Sequence, residues 1–144
     1  MIPRILVLSL MCLTLHSFAR RMAPIKRDLL DGTYTILKLR QDDKLKTITG
    51  IKSKISCNSE EKSITAHFGC NKMSGELQTS NNAILPVHLM STEMFCNDKI
   101  NQIESNFGLQ MEAATRFTVK GTIITIYKNE LPIIVLKKVV TKKK

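Results

Sequence analysis

Tryptophan is absent from the 144 residues, and the other aromatics are only 5 phenylalanines and 2 tyrosines. With so few rings, none alternate with basic residues, which argues against a nucleic-acid surface built on base stacking. Acidic residues are also scarce, 12 against 22 lysines and arginines, for a formal net charge of +10. That balance favours an anionic partner, such as an acidic glycan, a cell-wall polymer or a lipid headgroup, without choosing among them. No Asn-x-Ser/Thr sequon occurs, so glycosylation at asparagine is not expected. Beyond the first residues no apolar run approaches the roughly 20 that a membrane-spanning helix needs.

The start of the chain carries an export signal. Arg4 precedes an apolar run over residues 5–15, and Ser17-Phe18-Ala19 supplies small residues at the −3 and −1 positions of a cleavage site. This pattern predicts a secretory signal peptide over residues 1–19, cut after Ala19. Cys12 lies inside the apolar run without the small residue that precedes a lipidated cysteine, so no lipid anchor is expected. Cleavage leaves 125 of the 144 residues, a length suited to one domain, and removes one charge, that of Arg4. Cys57, Cys70 and Cys96 remain, and an oxidising compartment then favours one disulfide with one thiol left over.

Residues 20–28 read as a flexible basic segment, with Ile25, Leu29 and Leu30 able to form one helical turn. After the turn signal Asp31-Gly32, residues 33–39 are rich in β formers, and residues 40–46 read as a charged loop. Residues 51–57 and 62–68 alternate, and a hairpin with Cys57 opposite Lys62 makes their apolar faces coincide. Ile55 then meets Ile64, Ile51 meets Phe68, and His67 meets Lys52. In that register Cys70 lies roughly 26 Å from the turn end that holds Cys57. A disulfide needs Cα atoms within about 7 Å, so the register disfavours Cys57 with Cys70 and makes Cys70 with Cys96 the better pairing.

Residues 73–79 read as a strand in which Gly75 permits a bulge or close backbone approach, and residues 84–89 as an extended edge containing Pro86. From Asn97, a good N-cap, Ile100, Ile103, Phe107, Met111 and Ala114 recur at helical steps, predicting a helix over residues 98–113. Residues 116–119 and 122–127 flank Lys120-Gly121 as a hairpin with Val119 opposite Thr122 and Phe117 opposite Ile124. Asn129-Glu130 turns the chain into residues 133–136, which are apolar on both faces. Residues 137–144 read as a basic tail. The layout is α+β: a strongly curved, largely antiparallel sheet with one main amphipathic helix packed on it.

Gly69-Cys70-Asn71-Lys72-x-Ser74-Gly75-Glu76, followed by Ser91-Thr92-Glu93-Met94-x-Cys96, resembles the two ordered motif blocks of the META domain family, the HslJ-like exported domains. Gly32-Thr33-Tyr34 is similar to the family's opening strand, with tyrosine where tryptophan is usual, and residues 116–126 are similar to its closing hairpin. The resemblance covers residues 29–139, leaving residues 140–144 as a short basic C-terminal tail. It implies a barrel-like antiparallel sheet with a helix, carried on exported proteins linked to stress responses. It brings no established catalytic residues and no cofactor. By position, Cys70 and Cys96 match the family's two cysteines. Gly69, Asn71, Ser74, Gly75, Thr92 and Met94 match its structural motif, with Asn71, Ser74 and Gly75 at a turn. Cys57 has no counterpart and is expected as the free thiol.

Sharper chemical readings have weaker support. His67, Cys70, His88 and Cys96 are the residue types of a zinc site, but they spread over a long span and a disulfide would remove two ligands, so no metal is expected. A thiol enzyme would need a base beside Cys57, which the hairpin register does not supply. Phe68, Leu77, Phe107, Phe117 and Ile124 read as a filled core, with a cavity for a small hydrophobic ligand as the alternative. Lys137, Lys138, Lys142, Lys143 and Lys144 offer contact to an anionic surface, though terminal lysine runs are usually just solvated. The sequence thus favours a secreted, non-enzymatic domain that acts by binding, with a ligand carrier and a Cys-dependent enzyme as alternatives.

Overall fold

The computed structural model describes residues 30–140. The proposed signal peptide, the segment over residues 20–28, and Lys142, Lys143 and Lys144 lie outside them. The described chain runs β1 (Gly32–Gln41), β2 (Lys44–Thr47), β3 (Lys54–Asn58), β4 (Ser63–His67), β5 (Lys72–Glu76), β6 (Thr79–Ser80), β7 (Ala83–Ile84), β8 (Leu89–Ser91), α1 (Asp98–Glu112), β9 (Arg116–Lys120), β10 (Ile123–Lys128) and β11 (Leu131–Lys138).

All strands join one antiparallel sheet in the order β6-β7-β9-β10-β11-β1-β3-β4-β5-β8, with β2 on the second half of β1. The connectivity itself demands curvature. β5 stands near one end of this order and β6 at the other, yet only Leu77 and Gln78 separate them. Two linking residues span at most about 11 Å, so the sheet must curl until its ends approach. The result is a half-barrel with the helix laid against it.

Alternation along each strand fills the concave side. Tyr34, Ile36, Ile55, Ile64, Ala66, Met73, Phe117, Ile124, Ile126, Ile134 and Leu136 are buried there, and α1 adds Ile103, Phe107 and Met111. Phe68 and Phe107 meet edge-on with centroids 5.0 Å apart, fastening the chain after β4 to the helix. Each such fully buried apolar side chain contributes about 1.5–3 kcal/mol relative to exposure. Tyr34 is buried and donates its hydroxyl to the Leu30 carbonyl at 2.7 Å. The helix starts where its cap predicts: Asn97 Oδ1 accepts from the Ile100 amide at 3.0 Å.

Several local expectations need correction. The β3–β4 hairpin pairs Cys57 with Ile64 and Ile55 with Ala66, not with Lys62 and Ile64, and Lys54 rather than Lys52 faces His67. Asn58 Oδ1 accepts from the Glu60 and Glu61 amides, and Lys62 turns through a positive φ of 50°, so the loop sits one residue later. The β9–β10 hairpin likewise pairs Ile124 with Val119 and Ile126 with Phe117. Gly121, at φ 60°, takes the first of two turn positions rather than the second, the place a type II′ turn reserves for glycine. The expected charged loop over residues 40–46 is instead the β1–β2 hairpin, turned by Asp42 and Asp43 at φ 46° and 58°. Both residues have the short polar side chain that tolerates this conformation. Finally, Lys137 and Lys138 belong to β11, not to a tail.

Candidate functional site

The four residues between β4 and β5 and the segment leading from β8 into α1 come together at one end of the half-barrel. The Cys70 and Cys96 sulfurs are bonded, with Cα atoms 6.1 Å apart across a 26-residue separation. Beside them Asn71 is buried, and every part of its amide is used. Its backbone N–H donates to Glu104 Oε1 at 2.9 Å and its Nδ2 to Glu104 Oε2 at 2.8 Å. Its Oδ1 accepts from the Thr92 hydroxyl at 3.0 Å and from the Met94 amide at 2.8 Å. Thr92 Oγ1 in turn accepts from the Lys72 amide at 3.1 Å. A carbonyl oxygen only accepts, so His67 Nδ1 carries the proton it gives Asn71 O at 2.9 Å.

This arrangement is a clamp. One covalent bond and one side chain tie the sheet corner, the β8 exit and the middle of the helix. Glu104 is only 5 % exposed and its carboxylate accepts two bonds from a single residue, which offsets the cost of burying a charge. Sequence reasoning passed over Glu104, although it lies between Ile103 and Phe107 on the apolar face of α1, where a carboxylate requires a partner. Among the described residues no buried side-chain nitrogen or oxygen lacks a hydrogen bond.

A family-model comparison matches the META domain over residues 27–139. The chain belongs to the META domain family. No curated protein and no solved structure matches it. In this META domain the residues of the first motif block divide between two places, a departure from the single turn expected for Asn71, Ser74 and Gly75. Gly69 and Asn71 lie in the β4–β5 loop, whereas Ser74 and Gly75 stand inside β5, paired to β4 and β8. Gly75 is there because the strands crowd: a Cβ on it would come 2.2 Å from the His88 carbonyl oxygen. Met94 gives the clamp its backbone amide while its own side chain is exposed, next to a fully exposed Phe95.

The other candidate residues are dispersed. Cys70 and Cys96 are consumed by their bond, and His88 faces Glu112 at 3.9 Å. No group of three or more metal-ligating side chains occurs among the described residues. Cys57 is free and buried in the core; burial, then the nearby Asp31 carboxylate, push its thiol up to about 12. At neutral pH it is therefore a protonated thiol rather than a nucleophilic thiolate. Phe68, Leu77, Phe107, Phe117 and Ile124 are all buried in one cluster. Lys137 and Lys138 point to different tasks. Lys138 donates to the Asp31 carbonyl at 2.6 Å with its ammonium 5.9 Å from the Tyr34 ring, while Lys137 is exposed.

Proposed function

We propose that this META domain is exported, losing residues 1–19 as a signal peptide, and acts outside the cytoplasm by binding rather than by catalysis, in envelope or stress-related physiology. The observation that carries the reading is the state of the motif block. Cys70, Asn71, Thr92, Met94 and Cys96 are bonded to one another and to Glu104, so they stiffen a scaffold instead of presenting reactive groups. A disulfide suits an oxidising compartment. The protonated, buried Cys57 thiol supports the non-catalytic part.

Two measurements test this. Intact mass of the protein recovered from the exported fraction is expected to correspond to a chain beginning at Arg20; an uncleaved cytoplasmic product would overturn the export reading. Broad hydrolase and thiol-exchange assays on wild type and Cys57→Ala are expected to show no turnover by either. Turnover lost in the variant would make the domain an enzyme.

A further inference from the structure

The strand registers place charge on the convex face in an order that the linear sequence conceals. One continuous line of paired residues crosses seven strands: Lys120 with Ile123, Ile123 with Lys137, Lys137 with Thr35, then Lys54 with His67 and His67 with Lys72. Between β1 and β3, the pairing of Tyr34 with Ile55 brings Thr35 beside Lys54 as the next step, and the Ile36 amide donates to Ser53 Oγ at 2.9 Å just beyond. Directly paired residues project to the same face. Their chain neighbours Val119, Ile124, Leu136, Tyr34, Ile55, Ala66 and Met73 point into the core or pack against it, so the whole line faces solvent.

Lysines therefore stand on β9, β11, β3 and β5, every second strand of the order. Strands lie about 4.8 Å apart, which separates these lysines by about 9.6 Å at their roots. All four are exposed, and among the described residues none of their ammonium groups joins an ion pair. Beside the lysines runs a second line, Thr33, Ser56, Thr65 and Ser74, on four adjacent strands. Neither line contains a carboxylate, and the one aromatic ring on them is the exposed His67 imidazole. A depression of about 630 Å³, lined in part by Thr33, Ser53 and Lys54, lies beside the middle of the two lines.

We propose that this convex face binds an extended acidic polysaccharide, the cations of Lys120, Lys137, Lys54 and Lys72 meeting its carboxylates and the adjacent hydroxyl line meeting its sugar hydroxyls. The proposal rests on the binding role advanced above and supplies its partner class. The paired chemistry selects the ligand, because a bare polyphosphate would use the lysines and leave the hydroxyls idle. The curl selects flexibility. A flat lipid surface or a rigid duplex touches only part of a line that follows a half-barrel, whereas a flexible polymer follows all of it. Neither line holds a phenylalanine, tyrosine or tryptophan, and a single imidazole does not make the series of stacking rings that a single-stranded nucleic acid needs.

The test is binding of hyaluronan, which carries one carboxylate per two sugar rings, with neutral dextran and vesicles of anionic and zwitterionic phospholipid as comparisons. The full-length exported protein is compared with two variants of equal net charge. One carries Lys54→Gln, Lys72→Gln, Lys120→Gln and Lys137→Gln; the other carries Lys44→Gln, Lys62→Gln, Lys99→Gln and Lys128→Gln, off the line. Circular dichroism establishes that both fold, and single Lys54→Gln provides a milder probe. Binding to hyaluronan but not dextran is expected, weakened about tenfold or more by the on-line variant, about twofold by Lys54→Gln, and little by the off-line one, with a shallower salt dependence only in the first. Equal weakening by both quadruple variants would reduce the effect to net charge and overturn the site while leaving a binding role standing. No preference for hyaluronan over dextran, or tighter binding to anionic vesicles, would overturn the proposed ligand.

Discussion

Replacing Asn71 with alanine removes the hub of the clamp, and its cost follows from the bonds that are lost. The side chain donates to the buried Glu104 carboxylate at 2.8 Å and accepts from Thr92 and Met94 at 3.0 and 2.8 Å. A hydrogen bond to a charged group contributes about 1.5–3 kcal/mol and a neutral one about 1 kcal/mol. Glu104 keeps its bond from the residue-71 backbone, which the substitution leaves in place. Allowing for overlap among contacts, the loss should be about 3 kcal/mol, a large share of the 5–15 kcal/mol typical of a domain. Urea unfolding followed by far-UV circular dichroism would report it as a midpoint lower by roughly 1.5 M at unchanged slope. Asn71→Asp adds a directional check. It sets a second carboxylate beside Glu104, so one of the pair has its folded pKa raised above its unfolded value. That variant should recover stability as pH falls and lose it as pH rises. A loss below about 1 kcal/mol for Asn71→Ala, with no pH trend for Asn71→Asp, would refute the clamp.

Three further outcomes follow from other parts of the structure. Removing the Cys70–Cys96 bond by the paired change to alanine should cost about 3.5 kcal/mol through the entropy of the 26-residue loop, read as a lower urea midpoint; an unchanged midpoint would show the bond to be dispensable. Cys57 has a folded pKa of about 12 against an ordinary 9.0, so its contribution is complete below pH 9 and is lost as pH rises towards 12. Stability should fall across that window by on the order of 1 kcal/mol per pH unit, and Cys57→Ala should flatten this limb of the pH profile. Gly75→Ala forces a Cβ against the His88 carbonyl, so amide exchange should rise in β8 and the midpoint should drop; wild-type protection would mean that the strands have room to separate.

Much of the architecture was legible because burial imposes period. The helix over Asp98–Glu112 was set by Asn97 and by the spacing of Ile103, Phe107 and Met111. The two hairpins were assigned the correct inward faces but registers two residues out. A slip of two preserves which side each residue faces, so alternation cannot detect it; the turn residues Lys62 and Gly121 decide it. The Asp42-Asp43 turn was missed because adjacent acids read first as charge and only second as backbone. Glu104 carried a usable signal, a carboxylate on an apolar helix face, which gained meaning once Asn71 was its partner. The lysine line had no sequence signature at all. Its members are brought side by side by pairings such as Thr35 with Lys137, and such long-range order belongs to the sheet rather than to any segment.

The central claim is that the family motif holds this domain rigid through a covalent clamp while Cys57 stays inert in the core. Peptide mapping of the protein, alkylated under native conditions without reductant, tests it most directly. The account predicts a cross-linked pair of peptides containing Cys70 and Cys96, with Cys57 labelled only after unfolding. Native labelling of Cys70 and Cys96, or a bond joining either of them to Cys57, would contradict it.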